Sequence, residues 1–149
     1  MSDNWIALIP KDPRFVPDAT KRRQARDRFA EIAPEADEIE AAVSENVRFY
    51  DCGGNFERVC CPSCGSEIMA WWKERMDEDY DEGFKLATYA MPCCGARCTL
   101  DELVYEWPQG FGRFVLQAMN PNIGELDDRY KREFEEILGT ELRVIYQHI

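Results

Sequence analysis

The sequence predicts an α+β protein: two strand–helix–strand halves sharing one sheet, with a cysteine-rich insert between the second and third strands. Three observations carry this prediction. A short apolar run, a capped helix pattern and an alternating strand pattern follow one another over residues 4–51. A strand, helix and strand pattern returns after residue 107. Between the two, six of the seven cysteines crowd into "CCPSCG" (Cys60–Gly65) and "PCCGARC" (Pro92–Cys98). With 149 residues, 45% of them hydrophobic and 32% charged, the chain can bury a core and does not read as disordered.

"NWIALIP" (Asn4–Pro10) is a nearly continuous apolar run closed by proline, the pattern of a buried strand. After a turn through Pro13 and Pro17, Asp18 is placed to cap a helix running to about Ala33, with Ala25, Phe29 and Ile32 as its inner face. Pro34 sits where that helix stops. "EIEAAVS" (Glu38–Ser44) alternates, with Ile39, Ala41 and Val43 facing one way, as a half-buried strand does. "VRFYDC" (Val47–Cys52) continues as extended chain, and Gly53–Gly54 breaks it. Beyond the insert, "GRFVLQAMNP" (Gly112–Pro121) reads as a strand. "ELDDRYKREFEEILG" (Glu125–Gly139) is the clearest helix, with Leu126, Tyr130, Phe134, Ile137 and Leu138 in one stripe and Gly139 as the left-handed residue ending it. "LRVIYQHI" (Leu142–Ile149) closes as a strand.

Two βαβ units with right-handed crossovers assemble into a four-stranded ferredoxin-like sandwich. There the second and third strands form a hairpin, so an insert at its tip disturbs no pairing. The chain thus divides into a first half (1–51), an insert (52–107) and a second half (108–149) of one composite domain.

Cys61-Pro-Ser-Cys64-Gly has the form of a zinc knuckle: two thiolates two residues apart, a proline that fixes the turn, and a glycine that lets backbone amides close on the sulfurs. Laid over "MPCCG", the same pattern matches Pro92 and Cys94-Gly95 but puts Met91 where the first thiolate belongs. The fourth ligand is therefore Cys93 or Cys98. "FKLATYAM" (Phe84–Met91) reads as a ribbon strand leading into this second turn. The expected cofactor is a structural Zn²⁺ held by four cysteines, closed to substrate and contributing folding free energy to a loop-rich insert. Cys52 and Cys60 read as small buried hydrophobes.

"VRFYDCGGNFERVCCPSCG", "PCCG", "YEWPQGFGRFVLQAMNP" and "LGTELRVI" together resemble a family of small, mostly uncharacterised bacterial proteins that pair a CPxCG knuckle with a PCCGA element, a Y-W-P-x-G-F stretch and a final LGTxLRVI strand. The resemblance implies no activity. It favours Cys93 and Cys94 as ligands over Cys98, because the family's second element ends in small uncharged residues where this chain has Arg97-Cys98.

The formal net charge of −11 argues against nucleic acid as the main partner and fits a solvated surface or a face that docks on a basic protein. No apolar run approaches the ~20 residues of a membrane span. The N-terminal stretch lacks the basic start of an export signal, which predicts a cytoplasmic protein with reduced cysteines. "MDEDYDEG" (Met76–Gly83) spaces acids like a calcium loop, but glycine falls late and Thr88 stands where a bidentate glutamate belongs, so it reads as a solvated acidic loop. Trp71, Trp72, Trp107 and Phe111 lie in aromatic-rich stretches that either cement the insert to the sandwich or form a partner-binding surface. Five basic residues in "KRRQARDR" (Lys21–Arg28) read as a helix exterior balanced by nearby acids. His148, the only histidine, sits one residue from the end, and no nucleophile–base–orienter set is legible. The reading is a non-enzymatic, zinc-stabilised protein-interaction module with an adaptor, immunity or regulatory role. A nucleic-acid-associated zinc ribbon is the alternative, and a thiol redox protein the next.

Overall fold

The computed structural model describes residues 2–149, a mixed α+β structure with three α-helices and an antiparallel sheet among those residues. The elements are β1 (Asn4–Pro10), α1 (Ala19–Ile32), β2 (Glu38–Tyr50), β3 (Arg58–Cys60), α2 (Met69–Asp79), β4 (Tyr89–Ala90), β5 (Arg97–Cys98), β6 (Val104–Glu106), β7 (Gly110–Met119), α3 (Asp128–Leu138) and β8 (Leu142–His148). β2, β7, β1 and β8 form one four-stranded sheet in that order, every neighbouring pair antiparallel. Each of the outer helices therefore joins two parallel strands with one strand between them.

The helix limits follow from their caps. Asp18 precedes α1 and accepts a hydrogen bond from the Lys21 N–H, while Asp127 does the same for α3 from Arg129. Gly139 ends α3 in the left-handed region at φ 75°. Both helices bury one stripe against the same sheet face. Phe29 and Phe134 meet with ring centroids 5.3 Å apart over Ile6, Leu8, Phe114 and Leu116. Ile32, expected on the inner face of α1, is only partly buried. The opposite sheet face carries Ala7, Ile9, Val115 and Ile145, covered in part by Cys52 and Phe56.

β2 runs as one strand through Glu38–Ser44 and the extended chain expected after it, with a register shift between Val43 and Arg48. Val43, expected to face the core, lies beside that irregularity and is 44% exposed. Past the shift, Phe49 pairs with Phe111 and Tyr50 with Gly110, so β7 starts two residues earlier than its periodicity suggested. This extension of the β2–β7 hairpin carries Phe49 and Phe111 into a separate hydrophobic cluster with Val59, Leu100, Tyr105 and Trp72. The segment between β2 and β7 thereby packs on the hairpin tip, leaving the sheet's pairing intact.

Inside that segment two expectations hold only in part. Phe84–Met91 is strand only at Tyr89–Ala90, because Leu86 takes a left-handed conformation at φ 54°. The acidic stretch is a loop only in its second half: residues 76–79 are the last turn of α2, and Asp81–Gly83 form a bend after it, with Asp81 and Glu82 exposed. Asp79 is 2% exposed, and its carboxylate accepts from Leu86 N (2.7 Å), Ala87 N (2.9 Å) and the Tyr89 hydroxyl (3.0 Å). It ties the end of α2 to the strand entering the second cysteine turn. Beside it, the Tyr89 hydroxyl is pushed up to about 12, by burial first and by its bond to Asp79 second.

Candidate metal centre

Cys61, Cys64, Cys93 and Cys94 converge, their sulfurs all within 4.8 Å of one another. Two turns about thirty residues apart bring them together, and these turns are copies of one another. In the first, Gly65 N–H donates to Cys61 O (2.9 Å) and Cys61 N–H to Ser66 O (2.9 Å). In the second, Gly95 N–H donates to Met91 O (2.9 Å) and Met91 N–H to Ala96 O (2.8 Å). Gly65 and Gly95 take the same left-handed conformation, at φ 79° and 76°. The match extends outward: the Cys60–Glu67 bridge closes the first turn as the Ala90–Arg97 pair closes the second.

This correspondence settles the place of each cysteine. Met91 holds the position of Cys61, and both side chains are buried (3% and 1% exposed). Cys93 stands where the first turn has Ser63, so the second turn supplies two adjacent sulfurs, from Cys93 and Cys94. Cys98 corresponds to Ile68, seven residues after the start of its turn. Strand pairing with Tyr89 turns its side chain into the hydrophobic cluster, and it stands outside the four-sulfur group. Burial raises the Cys98 thiol above its ordinary value. Cys52 and Cys60 are buried as expected; Cys52 is fully enclosed beside Gln109, and burial raises its thiol too.

The sulfur geometry suits a tetrahedral ion. A metal–sulfur bond of about 2.3 Å gives a tetrahedron edge of about 3.8 Å. Cys61 Sγ and Cys94 Sγ lie 3.8 Å apart, and Cys64 Sγ and Cys93 Sγ 3.2 Å. Two of the thiols are already biased toward the charged form a metal requires. Backbone N–H groups of Cys64 and Ser63 pull Cys61 down, opposed by its burial. Cys64 is lowered to about 6 by the Ser66 hydroxyl, 3.3 Å from its sulfur, and by the Ser66 backbone N–H. Cys93 moves the other way, to about 12, chiefly because it shares its proton with the Cys64 sulfur. Cys64, Cys93 and Cys94 are exposed, so the group lies at the surface with only Cys61 anchored inside.

The aromatic candidates divide. Phe111 is 2% exposed and belongs to the interior, which removes it as a docking residue. Trp72 is half-buried, stacks on Phe56 at 5.5 Å and donates to the Tyr105 hydroxyl (3.1 Å), which in turn donates to Leu100 O (2.7 Å). Trp71 lies edge-on to Tyr89, with the Arg75 guanidinium 5.9 Å from its ring. Trp107 alone of the four is exposed (43%), held in a left-handed conformation at φ 47°. On the basic helix, Arg28 pairs with Glu133 (2.7 Å) and Glu31 (3.4 Å), and Arg26 lies 3.7 Å from Asp27. His148 packs its ring against Asn4, Nδ1 to Oδ1 2.7 Å, and its carbonyl accepts from Gly54 N–H. No helix among residues 2–149 is long and apolar enough to cross a membrane.

The fold and site define an α+β protein with a four-cysteine centre at its surface. Compared with known proteins, the chain matches no family model, no curated protein and no solved structure. A function for it rests on the geometry of these residues.

Proposed function

We propose that this is a non-enzymatic, zinc-stapled interaction protein of the cytoplasm: a ferredoxin-like sandwich whose zinc-ribbon insert, residues 52–107, helps present an acidic surface to a basic protein partner. The strand order β2-β7-β1-β8 with both crossover helices on one face supports the sandwich. The observation that carries the reading is the pair of matched turns aiming four sulfurs at one point. Zinc suits an all-sulfur tetrahedral set with no redox role, and such a site orders surrounding chain. Only short strands and one uncapped helix surround it, so the metal supplies order that the local backbone lacks. The net charge of −11 and the exposed Trp107 support a protein partner with a basic face.

The test has two parts. Elemental analysis of purified protein gives one zinc per chain, and a chelator melts Trp71 and Trp72 fluorescence while leaving the sheet's circular dichroism largely intact. Affinity capture recovers a basic protein whose binding weakens with added salt and with Trp107→Ala. Protein lacking stoichiometric metal refutes the centre, and capture insensitive to both salt and Trp107 refutes the surface.

A further inference from the structure

We propose that the open edge of β8 binds an extended segment of another protein, which adds to the sheet as a short parallel strand carrying an acidic residue followed by an apolar one. β8 has a neighbour on one side only. Its pairing with β1 is phased by Lys11 N–H donating to Glu141 O at one end and by the mutual Asp3–Ile149 bonds at the other. Odd-numbered residues of β8 therefore bond to β1, and Leu142, Val144, Tyr146 and His148 turn their N–H and C=O groups outward.

Half of these groups are already held. Leu142 N–H donates to the Glu135 carboxylate (2.8 Å), and Tyr146 O accepts from Asn55 Nδ2 (3.0 Å). His148 N–H donates to Cys52 O (3.2 Å), and its carbonyl accepts from Gly54 N–H (2.7 Å). Left without a partner among the described residues are Leu142 O, Val144 N–H, Val144 O and Tyr146 N–H, consecutive along the edge.

A parallel strand uses all of them. Its first residue donates to Leu142 O and accepts from Val144 N–H; its third donates to Val144 O and accepts from Tyr146 N–H. Neither Glu135 nor Asn55 has to move. An antiparallel strand centred on Val144 would aim a carbonyl at the Glu135 carboxylate and an N–H at the Asn55 amide nitrogen, so like meets like at both ends. A second copy pairing β8 with β8 about a two-fold axis runs antiparallel and meets the same clashes. The chain itself shows the favoured mode. Cys52–Gly54 lies parallel to β8 at His148 and takes that residue's outward bonds, and the free stretch continues the same lane.

A groove of about 440 Å³ along this stretch selects the side chains. Neighbouring residues of adjacent strands share a sheet face, so the first residue sits beside Arg143 and the second beside Val144. Arg143 lies on the face of Ile9, its pairing partner, and Lys11, two residues further along β1's path, also lines the groove. Arg143 is half-buried, and no ion pair among the described residues includes it. The groove's own acids, Glu125 and Asp128, stand on the other side, beside α3. The first position thus suits an acid. Val144 lies on the α3 face, where it packs with Leu126 and Tyr146, and the second position suits an apolar side chain. The site needs neither the metal centre nor the acidic surface.

Titration of ¹⁵N-labelled protein with the blocked peptide acetyl-Glu-Val-Thr-amide tests this. The Val144 and Tyr146 N–H signals shift saturably at millimolar concentration, and their hydrogen exchange slows. N-methylation of the peptide's Glu or Thr weakens binding about tenfold, whereas N-methylation of its Val, whose N–H points away from β8, leaves it unchanged. Lysine in place of the peptide's Glu also weakens binding. Val144→Pro, which removes one edge donor at a position where a sheet tolerates proline and is checked by circular dichroism, abolishes it. The reverse methylation pattern, which marks antiparallel addition, overturns the proposal. So does equal binding of the lysine peptide, or no saturable shift at Val144 and Tyr146 in wild-type protein.

Discussion

Replacing Asp79 with alanine is expected to destabilise the protein by about 3 kcal/mol, against less than about 0.5 kcal/mol for Asp77→Ala two residues away. The two acids lie on the same turn of α2, but Asp77 is exposed whereas Asp79 is buried and holds three donors. Hydrogen bonds to a charged group contribute about 1.5–3 kcal/mol each. They do not sum here, because water can reach the part-buried Ala87 N–H and Tyr89 hydroxyl once the carboxylate is gone. The buried N–H of Leu86 stays orphaned in a left-handed turn. Asparagine is no remedy: Leu86 bonds one carboxylate oxygen while Ala87 and Tyr89 bond the other, so one site would present an amide N–H to a donor. Denaturant unfolding of metal-loaded protein, followed by tryptophan fluorescence, measures the difference. If Asp79→Ala and Asp77→Ala unfold within 1 kcal/mol of each other, the carboxylate does not brace the insert as argued.

Cys93→Ser removes a sulfur and weakens zinc retention against a chromogenic chelator, while the pair Met91→Cys, Cys93→Ser restores it by returning a thiol to the position matching Cys61; a pair no better than Cys93→Ser refutes the equivalence of the two turns. Gly53→Ala is expected to cost more than about 2 kcal/mol, since Gly53 sits at φ 60° and a Cβ would come within 2.2 Å of the His148 carbonyl oxygen; a melting temperature unchanged from wild type sinks this. The Glu102 carboxyl is held below the usual carboxylate range by the Thr99 backbone N–H and then the Thr99 hydroxyl. Its contribution is thus complete above the unfolded glutamate value and lost as pH falls through the lower folded one. A carboxyl titration by NMR that places Glu102 at or above an ordinary glutamate contradicts it.

The four long strands and two long helices were legible because burial writes a pattern into the sequence: a continuous apolar run where both faces are covered, as in β1, and a stripe where one is, as in α3. "NWIALIP" and the Tyr130–Phe134–Leu138 stripe need nothing beyond themselves to be read. The insert was less legible because its order comes from elsewhere. α2 starts after Ile68 without a side-chain cap, and the adjacent Trp71–Trp72 pair blurs the helical spacing of Ile68, Trp72 and Met76. Asp79 could not be told from Asp77 by type. Only the partner backbone at Leu86 and Ala87, folded back on the helix end, distinguishes them.

The cysteines show the same division between local and non-local information. Cys61 and Cys64 were readable because one turn contains everything that makes them a pair: the proline, the glycine and the spacing. Cys93 and Cys98 are both within reach of the second turn, and spacing alone does not separate them. The separation is made by strand pairing, since Cys98 faces Tyr89 across a ladder that directs its side chain inward, as Ile68 is directed in the first copy. Met91 then explains the adjacent Cys93 and Cys94. With a thioether buried where a thiolate belongs, the turn must offer its second sulfur from a residue on its exposed side. That leaves three of four sulfurs facing solvent, so the duplicated turn fixes where the group forms while this one substitution sets how open it is.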